Sequence, residues 1–205
     1  MPATIIVLAG VNGAGKSSVA GEAILAAGGQ FFNPDQAAQA ARADNARLSR
    51  EQANALAWEM SRRGLERALE RGEVFAFETT LGGRTIFGLL RQGAERGAGI
   101  HMSYVGLRSA ELHIQRVQSR VAGGGHDIPQ AKIRERYRTS REHLIVLLPV
   151  LTTLRVYDNS KEADPKTGAT PQPLLLLHME RGRVGYHAPL ERIPDWAKPI
   201  LGAAL

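Results

Sequence analysis

The chain has 205 residues, 43% of them apolar and 22% charged, with a formal charge of +6 and a pI near 10.1. It contains no cysteine, which excludes thiol catalysis, a disulfide scaffold and any Cys-based zinc or iron–sulfur site. The longest apolar runs, such as Leu174 to Leu177, fall far short of the roughly 18 residues that span a bilayer.

This composition predicts one soluble domain over 1–205, large enough to bury a core without staples. The opening Met1-Pro2-Ala3-Thr4 lacks the basic region of a signal peptide, so the expected setting is cytoplasmic, with no membrane partner. Charge comes from 21 arginines and five lysines. Such a balance invites a nucleic-acid reading, but no RNP, helix-turn-helix or zinc-finger signature accompanies it. It suits a protein that handles polyphosphates equally well.

Thr4 to Ala9 is a continuous apolar run ending at Gly10, the pattern of a strand buried on both faces of a parallel sheet. Ser17 to Ala27 reads as a helix stopped by Gly28-Gly29. Phe31-Phe32-Asn33 reads as a short second strand, closed by Pro34-Asp35, with an Ala-rich helix from about Gln36. Ser49 and Gln52 form a capping-box pattern. It opens a long helix with Ala53, Leu56, Ala57, Met60 and Leu65 at helical spacing, ending near Gly72.

Val74 to Phe77 is the third predicted strand, with Glu78-Thr79-Thr80 at its end, and a helix over about 85–96 leads to a strand from His101 to Leu107. Ser109 caps a helix from Ala110 to Val121, which Gly123-Gly124-Gly125 breaks. Asp127 and Pro129 start the next helix, with Ile133, Tyr137, Leu144 and Leu148 on one face. Leu154 to Tyr157 is a fifth strand, and Lys161 to Pro173 is linker-like. A terminal hairpin follows over about 174–188, around Arg181-Gly182. Strands alternating with helices predict a doubly wound, mostly parallel α/β sheet.

Gly10-Val11-Asn12-Gly13-Ala14-Gly15-Lys16-Ser17 matches G-x-x-x-x-G-K-[ST] in full, between a strand and a helix as the motif requires. The glycines let backbone amides turn inward around phosphate oxygens. Lys16 reaches the β- and γ-phosphates, Ser17 holds Mg²⁺, and Ser18 completes the cradle. The expected cofactors are therefore ATP and Mg²⁺, bound by Gly10, Asn12, Gly13, Ala14, Gly15, Lys16, Ser17 and Ser18.

In doubly wound sheets ligands bind beyond the carboxyl ends of the strands, which is where Asp35 and Glu78 fall. Phosphoryl transfer to an alcohol needs a carboxylate to orient the hydroxyl and take its proton. Asp35 is placed for that, and it is equally able to cap the helix at Gln36. Glu78 either binds substrate or Mg²⁺ through water, or is a solvent-facing acid; Thr79 and Thr80 contact substrate or cap the following turn. Arg116 and Arg120 share a helix face, and Arg134, Arg138 and Arg141 repeat on the next helix. From 108 to 141 there are seven arginines and one lysine against three acids. Singly these suit a solvated face; as a cluster they predict a cationic lid over about 109–141, closing on phosphates. His126 fits a turn or packing role.

The segments Ala9 to Ser18, Asn33-Pro34-Asp35, Phe77-Glu78-Thr79-Thr80-Leu81, Tyr104-Val105-Gly106-Leu107, Arg116-Val117 to Arg120-Val121, Gly124-Gly125-His126-Asp127-Ile128-Pro129 and Tyr157-Asp158-Asn159-Ser160 occur in order. Over residues 3 to 160 the set resembles the zeta toxin family of P-loop kinases. The resemblance implies ATP-dependent phosphorylation of a sugar hydroxyl of UDP-N-acetylglucosamine, and an antitoxin protein as partner. It implies Asp35 as base, Glu78 at the substrate or metal, and Arg116, Arg120 and Arg134 on the phosphates.

The competing reading is a P-loop ATPase acting on nucleic acid. A motor ATPase usually carries an apolar run ending in Asp-Glu, and that pattern is missing, so a small-molecule hydroxyl acceptor is expected and no specific nucleic acid. A catalytically dead nucleotide sensor is disfavoured by intact Lys16, Ser17 and Asp35.

Overall fold

The computed structural model describes residues 1–19, 28, 31–123, 127–161 and 172–205. The first apolar run becomes β1 (Thr4–Ala9), buried after its first residue. It pairs in parallel with β2 (Val74–Thr79) on one side and β3 (Gly99–Gly106) on the other. Beyond β3 come parallel β4 (Thr153–Asp158), then antiparallel β5 (Leu174–Glu180) and β6 (Arg183–His187), in the order β2-β1-β3-β4-β5-β6. Four parallel strands thus end along one edge of the sheet, where ligand-binding loops converge in such folds. The hairpin β5–β6 closes through Arg181 and Gly182 at φ 46° and 74°, the paired left-handed conformation that matches strand twist.

Alternation along β1 separates two apolar layers. Ile5, Val7 and Ala9 join Leu65, Leu90 and Leu144 from three helices, whereas Ile6 and Leu8 face Ala76, Val105, Ala14 and Phe31. The helices are α1 (Pro34–Asp44), α2 (Arg50–Arg71), α3 (Arg84–Glu95), α4 (Ala110–Ala122), α5 (Gln130–Leu147) and α6 (Lys198–Ala204). Among the described residues no helix is long and apolar enough to cross a membrane.

Several expectations hold closely. The Ser49–Gln52 capping box forms in both directions, and α2 ends at Gly72 with φ 71°. Ser109 caps α4 by accepting from the Leu112 amide. Others are corrected. The second strand reduces to a single bridge, Phe32 to Phe77. Pro34 has no N–H to continue the pairing and instead occupies the first helical turn, so α1 starts two residues earlier than Gln36 and is capped by Asn33.

On α2 the buried stripe is Ala53, Ala57, Ser61, Leu65 and Ala68, while Leu56 and Met60 stay 44% and 48% exposed. Small residues fill that stripe because α1 packs closely there, with Ala38 against Ala53 and Ala57. On α5, Ser140 and Leu147 are buried with Ile133 and Leu144, and Pro129 flanks the helix rather than entering it. The terminal α6 was not anticipated. The proposed helix over 17–27 lies largely outside the described residues, which show one 3-10 turn at Lys16–Val19. The linker over 162–171 and Gly124, Gly125 and His126 lie outside them as well.

Candidate active site

The P-loop leaves β1 through Gly10, whose amide donates to the Thr79 carbonyl at 3.1 Å. A Cβ at Gly10 would sit 2.3 Å from the Val105 carbonyl oxygen, so β3 admits only glycine there. Gly13 and Gly15 have φ of 81° and 75°, the region open to glycine at least cost. These turns let successive amides converge on an anion.

Lys16 is only 7% exposed. A buried ammonium is tolerated where partners replace its water. Its Nζ donates to the Gly10 carbonyl at 2.8 Å and lies 3.3 Å from Glu78 Oε1. Glu78 is therefore no solvent-facing acid; its other oxygen accepts from Asn33 Nδ2 at 3.3 Å. Asn33 Oδ1 in turn accepts the amides of Asp35 and Gln36. The start of α1 is thereby tied to the P-loop lysine.

Asp35 does not cap its helix, since Asn33 does. Its carboxylate sits in the first turn, 54% exposed, 3.5 Å from Arg120 Nη1 on α4. Lys16, Glu78, Asn33, Asp35 and Arg120 form one continuous polar run across the ends of β1, β2 and α1. Thr79 serves the turn, its Oγ1 accepting from the Leu81 amide at 3.0 Å, and Thr80 follows half-buried.

The other two expected arginines are held elsewhere. Arg116 donates to the Lys161 carbonyl at 3.0 Å, toward the exit of β4, and Arg134 pairs with Glu111 of α4. The side chains of Ser17 and Ser18 lie outside the described set.

Three further residues, none of them expected at the site, touch the loop. Arg136 Nη1 donates to Asn12 Oδ1 at 2.8 Å, and burial lowers its pKa. His113 Nδ1 meets the Asn12 carbonyl at 2.9 Å. Asn159 Nδ2 donates to the Ala14 carbonyl at 2.9 Å. A signal existed for the first two: Arg136 lies between Ile133 and Ser140 on the buried side of α5, and His113 precedes Val117 by one turn on α4. A charged or titratable residue on an apolar stripe needs a partner.

The cationic hairpin is docked rather than standing away from the loop. Val11 of the P-loop joins Ile114, Val117, Ile128 and Ile133 in one apolar cluster. The β2–α3 loop is pinned to α5 too. Leu81, buried at φ 54°, presents its carbonyl to His143 Nδ1, and the Gly82 carbonyl accepts from Thr139 Oγ1. A left-handed leucine costs roughly 1–2 kcal/mol, which its complete burial offsets. Because Arg136 contacts the P-loop while Arg134 is paired away from it, Arg136→Ala should lower turnover at least about tenfold. Arg134→Ala should change it by less than about threefold. Steady-state rates of the two variants check this order.

A mostly parallel sheet with a glycine-rich loop leaving a strand that has a parallel neighbour on each side defines the P-loop NTPase/kinase fold. The chain belongs to the AAA domain family, which it matches over residues 5–143. An uncharacterized protein of Haemophilus influenzae is 33% identical over 63 residues, 31% of this chain and 45% of its own length. Among solved structures, the AvrRxo1-ORF1:-ORF2 complex with ATP contains a chain similar at TM-score 0.63 and 14% identity, covering 100% of this chain and 64% of that one. The PezAT chromosomal toxin-antitoxin system of Streptococcus pneumoniae is similar at TM-score 0.51 and 13% identity, covering 77% and 68%. This chain thus spans less than two thirds of the first two relatives. At these identities the two solved structures share the fold.

Proposed function

We propose that this protein is an ATP-dependent small-molecule kinase of the zeta toxin type, phosphorylating a hydroxyl of a nucleotide-sugar-like acceptor, UDP-N-acetylglucosamine by resemblance. The observation that carries the reading is the polar run from buried Lys16 through Glu78 and Asn33 to Asp35 and Arg120. It joins a phosphate cradle to a carboxylate with no capping duty.

The P-loop amides and Lys16 hold the polyphosphate. Asp35 accepts the acceptor's hydroxyl proton as its oxygen bonds to the γ-phosphorus; the bond from γ-phosphorus to the β,γ-bridging oxygen breaks, and ADP leaves. Arg120, beside Asp35, neutralises charge on the transferred group; Arg116 and Arg134, which the resemblance assigns there as well, are bonded to the Lys161 carbonyl and to Glu111. Ser17 after Lys16 would hold Mg²⁺, with Glu78, whose oxygens are taken by Lys16 and Asn33, reaching the ion through water, and the ion would supply neutralisation of phosphate charge. An antitoxin-like protein is the proposed partner, supported by the fold's likeness to chains from the AvrRxo1-ORF1:-ORF2 complex and the PezAT system.

The test is incubation with γ-labelled ATP and a panel of nucleotide sugars, free sugars and nucleosides. Label should enter a nucleotide sugar. Label released only as inorganic phosphate, and faster with DNA or RNA present, would replace this reading with a nucleic-acid-dependent ATPase.

A further inference from the structure

The carbonyls of the P-loop are taken up one by one by other groups. Gly10 is held by Lys16, Val11 by the Ala14 amide, Asn12 by His113 and Ala14 by Asn159. In a trans peptide the C=O and the following N–H point in opposite directions. Fixing a carbonyl outward therefore fixes the next amide inward. For the Asn12–Gly13 peptide, the group that fixes it is an imidazole from another element, 101 positions along the chain.

We infer that His113 is a positioning residue for phosphate binding: by donating from Nδ1 to the Asn12 carbonyl it aims the Gly13 amide into the cradle.

The surroundings allow little else. His113 is 1% exposed, and its ring meets Tyr137 edge-on with centroids 5.6 Å apart. Its own carbonyl lies 2.6 Å from where a Cβ on Gly13 would stand, so α4 lies directly against this peptide. A ring nitrogen facing a carbonyl oxygen must carry hydrogen, which selects the Nδ1–H tautomer. Burial, with Lys16, Arg116 and Arg141 adding to it, brings the pKa down to about 4. The ring is accordingly neutral at pH 7, and the cradle gains no positive charge from it. Its contribution is direction.

This rests on the cradle reading above, but not on the identity of any acceptor. The probe is tripolyphosphate, which has no base or sugar to bind elsewhere, titrated calorimetrically into wild type, His113→Leu and His113→Asn. Leucine keeps the bulk and removes the donor; the asparagine amide places a donor near the position of Nδ1. His113→Leu should lose about tenfold or more in affinity, and His113→Asn should recover most of it. A purely structural role would lower the melting temperature of both variants and leave affinity unchanged in the folded protein. Equal affinity of wild type and folded His113→Leu would overturn the inference alone. Absence of binding by wild type would remove the cradle reading and this inference with it. Should His113→Leu fail to fold, the ¹⁵N resonances of the wild-type ring still decide: the Nε2–H tautomer at pH 7 would overturn the assignment.

Discussion

Replacing Asp35 with asparagine is expected to reduce phosphoryl transfer by about 10²- to 10⁴-fold, the usual contribution of a positioned base, while ATP affinity and melting temperature stay close to wild type. An alcohol is a poor nucleophile at neutral pH, and Asp35 is the carboxylate that the polar run leaves at its outer end. The fold should tolerate the change for definite reasons. The cap of α1 is Asn33, which accepts both first-turn amides. Among the described residues, what Asp35 adds to stability is an ion pair with Arg120, with the two side chains 54% and 40% exposed, within the roughly 0–1 kcal/mol range of such pairs. A charge in the first turn adds about 0.3–1 kcal/mol. Transfer measured with the labelled acceptor, beside a thermal melt, separates the roles. Full transfer by Asp35→Asn would move the base to Glu78, even though that residue is occupied by Lys16 and Asn33.

How far the sequence discloses this arrangement depends on the range of the interaction. Local signals were readable: the P-loop turns, the Ser49–Gln52 box and the Ser109 cap depend on residues within a few positions of one another. The parallel core was readable as well, since β1 is apolar on both faces. Contacts between distant segments were less so. Leu56 and Met60 have helical spacing, yet burial on α2 follows the stripe that α1 and the sheet cover. Asp35 and Asn33 are both good cap residues, and the choice between them is made by Pro34 entering the first turn. The cationic helices were legible as a cluster, but not which arginine goes where. Arg134, Arg138 and Arg141 stand out by their spacing, whereas Arg136, whose guanidinium reaches Asn12, lies between Ile133 and Ser140 on the buried side of α5. The docking of α4 on the loop through Val11 and Val117 also refines the expected lid.

The second large effect concerns Lys16. Its ammonium is buried, and among the described residues it meets one carbonyl and one carboxylate, two contacts for three donors. Lys16→Met should abolish measurable ATP turnover and weaken ATP binding by at least about 100-fold. It should also destabilise the fold, because Glu78, 19% exposed, keeps its charge while losing its cation. Breaking a buried pair from one side costs about 3–5 kcal/mol, and the partial exposure of Glu78 with its bond from Asn33 places the loss toward the lower end. Adding Glu78→Gln removes the orphaned charge and leaves an amide to pair with Asn33. The double variant should therefore regain most of the lost stability in a denaturant melt while still failing to bind ATP in calorimetry. Recovery of both properties together would mean that Glu78, not the lysine, governs the nucleotide site. Recovery of neither would mean that Lys16 supports the loop chiefly through its bond to the Gly10 carbonyl.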